Sequence, residues 1–187
     1  MRVTNKHCLY RVPLVRSPNC DERPDPNDIA LLVVHGISLP PGQFGGDLVQ
    51  RLFTNQLPRG LDPELETLRR SHVSAHLLID RAGRITQFVP FHKRAWHAGE
   101  STWRCRPKCN DYAIGVELEG TDELPYSDAQ YAALVAVTRA LFARYPRLSL
   151  DTLVGHREIA PGRKTDPGRA FEWPRVLRAL GTTVDAG

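Results

Sequence analysis

The chain lacks a membrane span: its longest uninterrupted apolar run, residues 131–137, falls far short of the ~20 that a bilayer requires. It also lacks, over its first eight residues, the apolar stretch and small-residue cleavage site of a secretory signal, so the expected compartment is the cytoplasm. Cysteine is scarce. Four residues, Cys8, Cys20, Cys105 and Cys109, are too few to staple 187 residues and are expected as free thiols. There is no internal repeat, no low-complexity tract and no run of five like charges, although the net charge is +4 and the pI about 9.0. Acidic residues are interleaved nearly everywhere, and arginine far outnumbers lysine, so the basicity reads as a composition bias. Neither nucleic acid nor membrane is expected as a partner, and at most the charge favours an anionic small substrate. What remains is ordinary globular usage, 41% hydrophobic and 25% charged, enough to bury a core in one domain.

Local patterns give that domain an order of elements. Residues 1–28 read as an extended surface segment, rich in proline and charge over 17–28, ahead of a core spanning about 29–180. A buried-strand pattern at 29–34 ends at His35; a Pro/Gly-rich loop over 36–46 and a short helix over 47–53 follow. Two strands, 75–80 and 84–89, flank an Arg81-Ala82-Gly83 turn, and 90–112 reads as irregular. In the strand at 113–119, Ile114, Val116 and Leu118 share one face while Glu117 and Glu119 share the other. Ser127 and Gln130 form a capping box ahead of a helix with an apolar stripe through Tyr131, Leu134, Val135, Thr138, Leu141 and Phe142. A short strand at 152–155 delivers His156, and a terminal helix covers 172–180. The alternation predicts a single α/β domain, 1–187, with a mixed central sheet flanked by helices.

Several residues carry potential chemistry. His35 and His156 each end an apolar strand, and Asp166 lies ten residues beyond His156. Two imidazoles and one carboxylate make a three-ligand zinc set with a position left for water; equally, each suits an ordinary strand-end polar site. None of the compact zinc motifs is present. Glu117 and Glu119 are both candidates to move a proton, or form a solvated strand face. Lys164 is placed to face a developing oxyanion, or is an exposed loop lysine. Cys105 and Cys109 lack a second pair and read as loop thiols. The Trp96-His97-Ala98-Gly99 stretch suits a sugar- or peptide-binding wall or a packed loop anchor.

Taken together these stretches closely resemble the zinc N-acetylmuramoyl-L-alanine amidases, the family that includes peptidoglycan recognition proteins and a small phage amidase. The matching segments are 31–46, 73–76, 93–99, 109–111, 114–122, 126–131, 155–156 and 159–168, in order along the chain. The resemblance implies one Zn²⁺ held by His35, His156 and Asp166, Glu117 as general base in preference to Glu119, and Lys164 as oxyanion stabiliser. It implies a cytoplasmic, monomeric enzyme of peptidoglycan recycling. Its substrate would be a small soluble 1,6-anhydro-muropeptide, cut between the muramic lactyl group and L-alanine. An amidase of intact peptidoglycan and a non-catalytic muropeptide-binding module are the alternatives. Substrate contacts are expected from Gly36, His72, His76, Trp96, His97 and Lys108; the chain departs from the family pattern at Gly36, at 62–68, at His72 and at Lys108. A lid is expected over 36–46 or 57–71.

Overall fold

The computed structural model describes residues 1–60 and 63–181, apart from the Glu64 side chain. Residues 61–62, at the start of the divergent stretch and within one of the expected lids, lie outside the described residues, as do 182–187. In chain order the first half holds β1 (Cys20–Glu22), β2 (Leu31–Ile37), α1 (Leu48–Phe53), α2 (Pro63–Leu68), β3 (Leu77–Ile79), β4 (Ile85–Gln87) and β5 (Lys93–Ala95). The second half holds β6 (Thr102–Trp103), β7 (Arg106–Pro107), β8 (Ala113–Glu119), α3 (Asp128–Arg144), β9 (Leu153–Gly155), α4 (His156–Ile159) and α5 (Trp173–Gly181).

Five of these strands form the central sheet, ordered β4-β3-β8-β2-β9. The β3–β8, β8–β2 and β2–β9 pairings are parallel and β3–β4 is antiparallel, so the sheet is mixed as expected. Parallel strands at the centre of a sheet are covered on both faces, which is why β2 begins as an unbroken apolar run. Leu32, Val34, Ile114, Val116 and Leu118 project to one face and pack with Tyr131, Leu134, Val137 and Leu141 of α3. Leu31, Val33 and Ala113 project to the other, beside Ala98, Tyr112 and Ile159. Continuing each strand in register carries this second face to His35 and Glu117, which are paired across β2 and β8.

The capping box of α3 is present: Ser127 Oγ accepts from Gln130 N (3.1 Å) and Gln130 Oε1 from Ser127 N (3.0 Å). The same Gln130 amide donates to the Glu119 carbonyl (2.9 Å), so the cap also fixes the helix against the sheet.

Two expectations are corrected. The 1–28 segment is more than an extended surface segment. Leu14 bridges to Gln87, β1 pairs with β5, Leu9 is buried, and the enclosed Arg23 guanidinium donates to carbonyls of Phe91, Asn110, Asp111 and Ala113. Proline and charge mark an irregular path, but not whether that path is covered. Residues 90–112 are likewise not wholly irregular, since they hold β5, β6 and β7. These strands are two or three residues long, and β1–β5 is held by the cross-strand pairs Asp21–Arg94 and Glu22–Lys93 rather than by an alternating apolar face.

Candidate active site

The carboxyl ends of three adjacent parallel strands bring the site together, the usual place for ligands in open α/β sheets. His35 lies near the end of β2, Glu117 opposite it on β8, and His156 immediately follows β9. After α4 the chain returns beside that helix, where Arg157 N donates to the Asp166 carbonyl (3.1 Å) and Asp166 turns its side chain toward both histidines.

Three donor atoms converge: His35 Nδ1 and His156 Nδ1 are 3.0 Å apart, and Asp166 Oδ2 lies 3.3 Å from the first and 3.1 Å from the second. Ligands ~2.0–2.1 Å from a tetrahedral zinc stand about 3.3 Å from one another, so the triangle has the right size. The donor chemistry fits as well. His156 Nε2 faces the Ala98 carbonyl at 3.2 Å. A carbonyl only accepts, so Nε2 carries a proton toward it, and Nδ1 is the nitrogen turned to the point shared with His35 and Asp166. Burial lowers the His35 pKa to about 4, leaving it a neutral ligand at pH 7. Burial works to raise the Asp166 pKa, but the two imidazoles facing it, His156 and His35, prevail and hold it far below the usual carboxylate range. His35, His156 and Asp166 are thus a group able to hold a metal ion.

Glu117 stands 4.0 Å from His35 Nδ1, and its buried Oε2 has no hydrogen-bond partner. Burial, then the negative charge of Asp166, raises its pKa well above the ordinary value against the opposing charge of Lys164. Glu119, on the same face, is instead occupied: its carboxylate accepts from Gly45 N (2.5 Å) and Arg81 N (3.2 Å).

These groups open into a cleft of about 360 Å³. Its lining joins the three converging residues, His97, Glu117 and Lys164 with an apolar set, Ile37, Leu39, Leu52, Phe53, Leu68 and Val73. Gly36 and Trp96 line it too. A Cβ at Gly36 would run into the Tyr126 hydroxyl, which donates to the Pro167 carbonyl (2.9 Å).

Three residues expected to contact substrate are not on this wall. His76 is fully buried: its Nδ1 accepts from Gly115 N (3.1 Å) and its Nε2 donates to the Lys93 carbonyl (3.0 Å), making it a satisfied core histidine. His72 and Lys108 are exposed and do not line the cleft. The apolar wall escaped the sequence reading, because its residues come from β2, α1, the end of α2 and two loops, and share no period. Of the loop cysteines, Cys109 is buried beside the Tyr112 hydroxyl (3.3 Å) and Cys105 is exposed.

Comparison with known proteins gives the family. A family model described as N-acetylmuramoyl-L-alanine amidase matches residues 25–169. The 1,6-anhydro-N-acetylmuramyl-L-alanine amidase AmpD of Salmonella typhimurium (strain SL1344) is 54% identical over 176 residues, covering 94% of this chain and 93% of that protein. A crystal structure of a Se-Met AmpD derivative superposes with a TM-score of 0.92 at 49% identity, covering 96% of this chain and 99% of that one. AmiD from E. coli, solved in complex with the substrate anhydro-N-acetylmuramic acid-L-Ala-D-gamma-Glu-L-Lys, gives a TM-score of 0.61 at 31% identity, covering 81% of this chain and 57% of that one. With the family pattern running from ahead of β2 to just past Asp166, and a relative matched almost end to end, the chain belongs to the N-acetylmuramoyl-L-alanine amidase family.

Proposed function

We propose that this chain hydrolyses the amide bond between the lactyl group of 1,6-anhydro-N-acetylmuramic acid and L-alanine in small soluble muropeptides, with one zinc ion held by His35, His156 and Asp166. The observation that carries the reading is the convergence of those three donor atoms beside a buried, half-unpartnered carboxylate, Glu117. When bound, the ion supplies Lewis acidity toward the scissile carbonyl and the attacking water. Glu117 takes a proton from that water as its oxygen bonds to the carbonyl carbon. The same carboxyl then returns the proton to the alanine nitrogen as the C–N bond breaks. A carboxyl whose pKa is raised by burial holds that proton between the two steps more readily than an exposed one would. Lys164, on the wall of the same cleft, supplies positive charge near the oxygen that becomes anionic.

The substrate class is supported by the names of the relatives: AmpD is a 1,6-anhydro-N-acetylmuramyl-L-alanine amidase, and AmiD was solved with an anhydromuramyl peptide. Gly36, Trp96 and His97 are the expected substrate-side residues that lie on the cleft wall. The reading takes the enzyme as a cytoplasmic monomer of peptidoglycan recycling. Four unpaired thiols suit a reducing compartment.

Mass spectrometry of zinc-loaded protein incubated with an anhydro-muropeptide, and separately with intact sacculi, tests the proposal. Release of the stem peptide from the soluble compound, abolished by a strong chelator and restored by zinc, is expected. Cleavage that survives complete zinc removal overturns the metal, and cleavage of sacculi in preference to the soluble compound overturns the substrate class.

A further inference from the structure

A neutral His35 ring has two places for its single proton. With the proton on Nδ1 it would donate to Asp166 Oδ2, 3.3 Å away, and that nitrogen could hold no metal. With the proton on Nε2 it needs an acceptor on the other side of the ring, and His97 Nδ1 lies there at 2.9 Å. We infer that His97 is a positioning residue of the metal centre, accepting the His35 Nε2–H and so fixing the tautomer whose Nδ1 lone pair faces His156 and Asp166. The inference rests on the zinc reading above.

The surroundings of His97 are arranged around that contact. Its ring lies over Gly115 of β8, where an added Cβ would stand 2.5 Å from the ring Cγ, so only glycine leaves room. Its main chain is clamped by Asn110, whose Oδ1 accepts from His97 N (3.1 Å) and Ala98 N (2.8 Å). The clamped pair thus serves both imidazoles: His97 Nδ1 lies behind His35, and the Ala98 carbonyl lies behind His156. Arg163 also donates to the Ala98 carbonyl (2.6 Å) and steadies it. The far nitrogen of His97 is buried without a partner. An unmet buried polar atom opposes folding, and a phenyl ring would fill similar space without one. Packing alone therefore does not explain an imidazole here, whereas an acceptor for His35 does.

Three variants separate the role from packing. His97→Phe keeps a ring and removes the acceptor, His97→Asn keeps an acceptor oxygen near the position of Nδ1, and Gly115→Ala pushes the ring off its bed. Zinc affinity, read by competition with a chromophoric chelator, is expected to fall about 10–100-fold in His97→Phe and Gly115→Ala and to recover most of that loss in His97→Asn. Long-range ¹H–¹⁵N spectra of the zinc-free protein should show His35 protonated on Nε2 in the wild type and shifted toward Nδ1–H in His97→Phe. A His97→Phe protein that binds zinc like the wild type, with the His35 tautomer unchanged, overturns the inference and leaves the zinc reading standing. A wild-type chain that takes up no zinc overturns both. Should His97→Phe not fold, His97→Asn and Gly115→Ala decide: equal losses in the two would assign the effect to packing and overturn the role.

Discussion

Glu117 and Glu119 lie two residues apart on one face of β8, and strand alternation alone cannot rank them. Their surroundings can. Glu119 is occupied by two backbone amides, whereas Glu117 leaves Oε2 unpaired and holds Oε1 4.0 Å from His35 Nδ1. Substituting Glu117→Gln keeps the volume and removes the base. We expect turnover of an anhydro-muropeptide to drop by roughly 10²–10⁴-fold while one zinc per chain is retained. His35→Ala, which removes a donor atom, should lose the metal and the activity together. Metal analysis of both purified variants beside their peptide-release rates checks this, and near-normal turnover in Glu117→Gln would remove it as the base. At this scale residue types and strand positions nominated His35, His156 and Asp166, but only coordinates show their donor atoms at 3.0–3.3 Å. The histidines of the middle segment were not separable in sequence. His76, His97 and His72 end as a core residue, a neighbour of His35 and an exposed side chain, distinctions set by contacts across the sheet.

Among the elements, those with a local physical signature were legible and those defined by their partners were not. β2 and β8 are read from buried apolar runs, and α3 from its cap and stripe. β1, β5, β6 and β7 are two or three residues long, too short to show a period, and exist because another segment lies beside them. The α3 cap shows how a local signal acquires tertiary weight. Ser127 Oγ accepts from Gln130 N and also donates to the Arg81 carbonyl (2.7 Å), tying the helix start to the β3–β4 turn. An N-cap serine replaced by alanine costs typically ~1 kcal/mol, and the second hydrogen bond places Ser127→Ala at about 1–2 kcal/mol. For a chain of this length that corresponds to a fall of roughly 2–8 °C in thermal midpoint. Calorimetry of the zinc-loaded protein measures it. Because Ser127 does not line the cleft, zinc content should be unchanged.

The whole molecule carries buried imidazoles whose neutrality ties its stability to pH. Burial lowers the pKa of His35 to about 4 and takes His76 and His97 well below the ordinary value. In the unfolded chain each regains a pKa near 6.5, so between about 6.5 and 4 the unfolded state binds more protons and stability of the zinc-free protein falls as pH falls. Asp28 acts in a lower window. It joins the approach to β2 with Arg106 of β7 and Arg147 beyond α3, and hydrogen bonding to Arg106, opposed by burial, holds its pKa below the ordinary value. Its contribution is therefore complete above an unfolded pKa of about 3.9 and is lost as pH falls through the lower folded value. Urea unfolding of chelated protein from pH 8 to pH 3 should show the decline beginning near pH 6.5, above the range in which carboxylates titrate. His76→Gln, which can still accept from Gly115 and donate to Lys93, should flatten the slope between 6.5 and 4 and leave the lower limb alone. Asp28→Asn should cost about 1–2 kcal/mol at neutral pH, run parallel to the wild type down to about pH 4, and converge with it below. A stability that stays flat from pH 7 to 4.5 would mean that the buried imidazoles accept protons in the folded state, and the neutral-ligand description of His35 would fall with it.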